Sequence, residues 1–218
     1  TDLSTVSNTY TTNSIATWDW DFGDGGTAST ANPTYTYTTD GTYNVSLTVT
    51  TNNGCTNNIT LPVTVHPNPE VAFATTDPDG CSVWCVDFSQ NVTINSGSVT
   101  DYFWDLGDGT ISTDANPQHC YENTTQSPLT YDITLVATSN EGCVSDSTAF
   151  GLVTVYPLPI AAFDFAPTEL DEYHSTVYFT DQSIGAAAYE WDFDDGDSAF
   201  IANPEHTYNG AGLYNVTL

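Results

Sequence analysis

Lysine and arginine are absent from this 218-residue chain, while 28 acidic residues give it a formal charge of −28. Nothing in it can neutralise a run of phosphates, which excludes nucleic acid as a partner. An anionic membrane is an equally poor match. No Lys or Arg ion pair can form within the chain. Its repulsion must be relieved by solvent, salt, divalent cations or burial that raises carboxyl pKa values. A protease that needs Lys or Arg finds no site. Apolar runs of membrane-spanning length are missing, so no direct membrane insertion is expected. Helical periodicity is missing almost everywhere. Thr, Val, Tyr and Phe are abundant instead, which makes the expected class all-β.

The motifs of several enzyme classes are also missing. There is no Gly-x-Ser-x-Gly, no His-Glu-x-x-His and no phosphate loop. Of the 4 histidines, His66 sits between repeats, His119 and His206 are equivalent, and His174 is solitary. Carboxylates are plentiful, but a glycosidase pair must flank a cleft, and acids repeated in turns do not converge on one. The expectation is that the chain is not an enzyme.

What is present is repetition. Trp20-Asp21-Phe22-Gly23-Asp24-Gly25 returns as Trp104-Asp105-Leu106-Gly107-Asp108-Gly109 and as Trp191-Asp192-Phe193-Asp194-Asp195-Gly196. Each is followed by Asn-Pro (Asn32-Pro33, Asn116-Pro117, Asn203-Pro204) and then by Tyr37, Tyr121 or Tyr208. A strand-like run comes next, beginning at Tyr43, Tyr131 or Tyr214. The Trp positions lie 84 and 87 residues apart, so the unit is a small domain rather than a solenoid turn. Trp and the residue two further on share one strand face and read as core. The Asp-Gly pairs read as capped turns.

The block resembles the PKD (polycystic kidney disease) domain, an Ig-like β-sandwich module. The resemblance rests on the Trp-Asp-Phe-Gly-Asp-Gly turn, the Asn-Pro segment and the Gly-x-Tyr-x-Val-x-Leu strand. It covers nearly the whole chain. Departures are Asp194 in place of the first turn Gly, and an insert from Glu122 to Leu129 in the second copy. The expected modules are 1–67, 68–157 and 158–218. The first lacks its opening strand and the third its closing strands. Such ends suit a segment of a longer chain, or a subunit that a neighbouring copy completes by strand addition. The linkers His66-Pro67-Asn68-Pro69 and Tyr156-Pro157-Leu158-Pro159 are short and Pro-rich, so a stiff rod is expected.

The resemblance also frames the cysteines, an odd 5 in number. Cys55 and Cys143 occupy the same late loop. Cys81 precedes Phe88 by seven residues, where related bacterial PKD repeats carry Cys, while the third copy has Glu172 there. The implied pairs are Cys81–Cys143 and Cys85–Cys120, the latter on neighbouring strands of an Ig-like sandwich. The partner of Cys55 would then precede Thr1. Disulfides imply an extracellular or cell-surface setting.

Some PKD domains bind calcium. The acids that could supply hard oxygen ligands are Asp19, Asp21 and Asp24, or Asp192, Asp194, Asp195 and Asp197. No other cofactor is implied. Asn-x-Ser/Thr at Asn44, Asn58, Asn91, Asn123 and Asn215 marks candidate glycosylation sites. Ser147 and Ser198 sit in Asp-Ser/Thr-small triplets similar to the O-glycosylation motif of Bacteroidota.

The functional expectation is a structural or adhesive extracellular protein. It would be a stretch of filament like the large secreted surface adhesins of Bacteroidota-type bacteria. Its partners would be neighbouring copies of the same protein or surface polysaccharide. The alternative is a non-catalytic spacer or binding region of a secreted hydrolase. One outcome follows from charge alone. The melting temperature should rise by a few degrees from low salt to about 0.5 M NaCl, because screening weakens uncompensated repulsion. Scanning calorimetry at fixed pH measures it.

Overall fold

The computed structural model describes residues 2–5, 14–171 and 175–218. Thr1, Glu172 and His174 lie outside the described residues.

The middle module shows how the pattern folds. β5 (Phe73–Thr75), β7 (Trp84–Gln90) and β10 (Gln118–Tyr121) form one sheet, in the order β10-β7-β5. β6 (Asp79–Cys81), β8 (Val99–Asp105), β9 (Ile111–Ser112), β11 (Leu129–Ser139) and β12 (Val144–Tyr156) form the other, ordered β6-β12-β11-β8-β9. All pairings are antiparallel except β6 with β12, which run parallel. Alternation decides what faces inward: Val86 and Phe88 from β7, Ile133 and Leu135 from β11, and Val153 and Val155 from β12 are all buried. Trp104 and Leu106 fill the centre between the sheets, at 0% and 1% exposure. The intervening Asp105 faces solvent, as a period of two requires.

One irregularity interrupts the long hairpin. Tyr131 pairs with Val153 but Ile133 pairs with Ala149, so β12 carries extra residues at that point. Gly151 takes φ +57 there and its N–H donates to Asp132 Oδ1 at 2.6 Å. The bulge turns Phe150 outward, at 82% exposure.

The flanking modules repeat parts of this plan. In the first, β1 (Ile15–Asp21), β2 (Thr27–Ala28), β3 (Gly41–Thr51) and β4 (Thr56–Val65) form one sheet, ordered β2-β1-β3-β4. Among the described residues no second sheet faces it. Tyr43 pairs with Val63 as Tyr131 pairs with Val153, yet Val63 is 39% exposed and Val153 is fully buried. In the third, β13 (Phe163–Ala166), β14 (Thr176–Asp181) and β17 (Glu205–Thr207) form the first sheet. β15 (Trp191–Asp192) and β16 (Ser198–Ala199) form a short second one. Val177, Phe179, Trp191, Phe193 and Tyr208 make its core. The fold is therefore all-β, built of tandem Ig-like sandwich modules.

Trp104 is the test of this packing. Trp104→Ala should cost the middle module about 3–5 kcal/mol. Trp20→Ala should cost less, because Trp20 is only partly buried. Native-state hydrogen exchange at the slowest amides of β11 and β3, respectively, reads each module separately.

Candidate functional site

The feature that recurs in every module is a knot of side chains beside the Trp-Asp turn. In the middle module it ties the two sheets together. Trp104 Nε1 donates to the Asp114 carbonyl at 3.0 Å. The Tyr121 hydroxyl, from β10, reaches across to donate to the Leu106 carbonyl at 2.9 Å. His119 Nε2, also on β10, lies 2.7 Å from Asp108 Oδ2. Asn116 Oδ1 accepts from the Gln90 N–H at 3.0 Å, locking the Asn-Pro segment to β7. Tyr121 stacks on Tyr131, with centroids 4.6 Å apart.

The other modules keep the same spacings. Trp20 Nε1 donates to the Thr30 carbonyl and Trp191 Nε1 to the Ile201 carbonyl, at 3.1 and 2.9 Å. Tyr37 and Tyr208 donate to the carbonyls of Phe22 and Phe193, at 2.9 and 3.3 Å. His206 Nε2 lies 2.7 Å from Asp195 Oδ2. In the first module Tyr35 stands where the His would be, and its hydroxyl donates to both oxygens of Asp24, at 2.9 and 2.8 Å. A phenol thus replaces an imidazole with the same geometry.

The turn acids are already engaged. Asp21 Oδ1 accepts from Gly23 N–H and Asp24 Oδ1 from Gly26 N–H, both at 2.9 Å. Asp105 and Asp108 accept from Gly107 and Thr110, and Asp192 and Asp195 from Asp194 and Asp197. Gly23 and Gly107 both have φ +83, and Asp194 holds the same left-handed region at φ +63. Asp194 Oδ2 accepts from the Asn215 N–H at 2.8 Å.

The calcium candidates therefore do not meet as three or four convergent ligands. Of them, Asp195 and Asp197 come together, joined by His206, with ligand atoms within 4.8 Å of one another. Asp195 there already accepts from His206 and from the Asp197 backbone. Asp19, Asp21 and Asp24 form no such group among the described residues. His206 is the member the sequence reading missed. Its eleven-residue spacing from Asp195, repeated in His119 and Asp108, was the available signal.

The cysteines divide. Cys85 and Cys120 sit directly opposite each other on β7 and β10 and are bonded. The expected Cys81–Cys143 bond is not formed: both thiols are free, as is that of Cys55. The reason is strand geometry. Cys81 pairs in register with Tyr156, the last residue of β12, while Cys143 immediately precedes its first, Val144. The 13 residues of β12 separate them by roughly 40 Å at about 3.3 Å per residue.

The glycosylation candidates divide too. Asn44, Asn58, Asn91, Asn215 and Ser198 are exposed and Ser147 is partly so. Asn123 is a correction, being only 5% exposed. Its Nδ2 donates to the carbonyls of Ser127 and Val155, and its Oδ1 accepts from Thr125 N–H and Oγ1. It closes the insert against the end of β12 and has no free amide hydrogen to give to a glycan.

The chain is a tandem array of Ig-like β-sandwich modules that repeat one set of polar residues beside the Trp-Asp turn. The PKD domain model matches residues 2–65, 66–155 and 156–218, and the chain belongs to the PKD domain family. It is 32% identical over 97 residues to the pre-pro-metalloprotease PrtV of Vibrio cholerae, covering 44% of this chain and 10% of the protease. The chain thus spans about a tenth of that relative's length. Among solved structures it is similar to the PKD1 domain of the same protease, at 22% identity and TM-score 0.34, covering 42% of this chain and 99% of that one. It is also similar to the PKD1 domain of Vibrio anguillarum Epp, at 19% identity and TM-score 0.35, covering 43% and 100%.

The clamp acids set a pH dependence. Burial works to raise Asp108, but the bonds from His119 and Thr110 prevail and hold it below its ordinary 3.8. The His206 bond, foremost, lowers Asp195 likewise. Burial, above all, pushes the Tyr121 phenol up, so it stays a donor. A lowered folded-state carboxyl pKa stabilises above the unfolded value and loses that contribution as pH falls through the folded value. Asp108→Asn should therefore be less stable than the parent at pH 7, with the gap closing below about pH 4. Urea unfolding at both pH values checks this.

Proposed function

We propose that the chain is a segment of an extracellular structural protein, a stalk or filament of tandem PKD modules with no catalytic role. The observation that carries this reading is that the polar side chains repeated from module to module are spent within each one. Trp, Asp, His or Tyr, and Asn all bond across their own module, and the same set recurs in the others. A constellation used up in holding two sheets together supports a mechanical task rather than turnover. The Cys85–Cys120 bond supports an oxidising, extracellular setting. The Pro-rich linkers support a stiff rod. Neighbouring copies of the protein or surface polysaccharide are the partners this reading assigns, the latter through exposed Thr, Asn and Tyr. Calcium would act by screening the acidic surface.

The likeness to a metalloprotease favours a second reading, in which the modules space or dock a hydrolase domain. The parent polypeptide separates the two: many further PKD copies support the filament, and a single hydrolase domain supports the spacer.

Pulling the chain end to end by atomic force microscopy tests the mechanical claim. The middle module should give a distinct unfolding peak. Reduction should lengthen its contour by about 120 Å, since Cys85 and Cys120 are 35 positions apart in sequence at roughly 3.5 Å each. A module that extends with no resolved peak would sink the load-bearing role.

A further inference from the structure

The free thiols are placed as if for a partner in a neighbouring repeat. Cys55 and Cys143 occupy one and the same turn in two modules. Thr51 N–H donates to the Cys55 carbonyl and Ser139 N–H to the Cys143 carbonyl, each at 2.9 Å. Gly54 and Gly142 take φ +80 and +78 between them. This turn lies at the end of the module where the chain enters. His66, the residue after β4, has its Nε2 3.7 Å from Glu141 Oε2, two positions before Cys143.

Cys81 lies at the opposite end, where the chain leaves. β6 runs parallel to the last residues of β12, and Ser82 N–H donates to the Tyr156 carbonyl at 3.0 Å. Tyr156 and His66 are equivalent. Val155 pairs with Leu129 as Val65 pairs with Gly41, and each is followed directly by the linker residue. In the middle module the Cys81 position thus lies one strand, about 4.8 Å, from Tyr156, which holds the position of His66. In the one junction where both sides are present, that position touches the Cys143 turn of the following module. Cys81 is exposed and Cys143 partly so. Neither can reach the other within one module, and the chain holds no residue of module 1 at the Cys81 position.

We propose that Cys81 and Cys143 are the two halves of one repeated disulfide, which joins the β6 segment of a PKD module to the β11–β12 turn of the module that follows. The proposal uses only the tandem arrangement, not the load-bearing reading. Each bond forms as two thiols lose two protons and two electrons to a small-molecule disulfide, which leaves as two thiols. The linker is then bypassed by a covalent bond wherever a module with Cys at the Cys81 position precedes one with Cys in the β11–β12 turn. The third module, with Glu172 at the first of these positions, departs from the pattern.

The test duplicates residues 68–157 in tandem within the full chain and oxidises it with oxidised glutathione. Cleavage at acidic residues, needed because trypsin has no site, is followed by non-reducing mass mapping. The expected product links Cys81 of the first copy to Cys143 of the second, beside an intact Cys85–Cys120. A link between Cys81 and Cys143 of the same copy, or glutathione on both, overturns the proposal. A second variant guards against misfolding of the duplicate. His66→Cys in the unduplicated chain should bond to Cys143 under the same oxidation, and Cys143→Ser should abolish that bond. A His66→Cys thiol that stays unbonded to Cys143 while Cys85–Cys120 is intact overturns the placement.

Discussion

The hydrogen bond from the Tyr121 hydroxyl to the Leu106 carbonyl is the contact on which the middle module depends. β10 belongs to one sheet and Leu106 follows a strand of the other. The bond therefore fixes the distance between the layers at the point where Trp104 fills the gap. The phenol is buried at 1% exposure, and a buried hydroxyl without an acceptor would cost about 1–3 kcal/mol. The carbonyl is in turn held by the Asp105–Gly107 and Asp108–Thr110 turn bonds. The Asp-Gly motif is thus a mould for one acceptor atom, and its recurrence across the repeats follows from that need.

Having no lysine or arginine shapes how the clamp is built. Among the described residues the ion pairs are all His with a carboxylate. Two of these are clamp members, His119 with Asp108 and His206 with Asp195. Tyr35 does the same task in the first module with a neutral donor. The geometry matters more than the charge. The remaining acids cap turns by accepting backbone N–H groups, which uses a carboxylate as an acceptor without a cation.

Much of this was legible in the sequence. Trp104, Leu106, Trp191 and Phe193 read as inward because strand alternation is local, and they are buried. The turn role of Asp21, Asp105 and Asp192 also follows from local chemistry. The pairing of Asp195 with His206 showed in the sequence only as a repeated eleven-residue spacing, and the exposed Val63 not at all, because both depend on which strands lie across from one another.

The sequence by itself determined the repeat, the all-β class, the inward Trp face and the capped turns, since each rests on contacts within a few residues. The tertiary structure alone decided that Cys81 and Cys143 stay apart and that one sequon is buried. Cys85 and Cys120 face each other because β7 and β10 pair in that register. Cys81 and Cys143 do not, because β6 runs beside the far end of β12. Asn123 is an Asn-x-Ser/Thr sequon like the others until the end of β12 folds over it and the Val155 carbonyl takes an amide hydrogen. Register along a strand converts a small offset in pairing into tens of ångströms, and no spacing in the sequence states that offset.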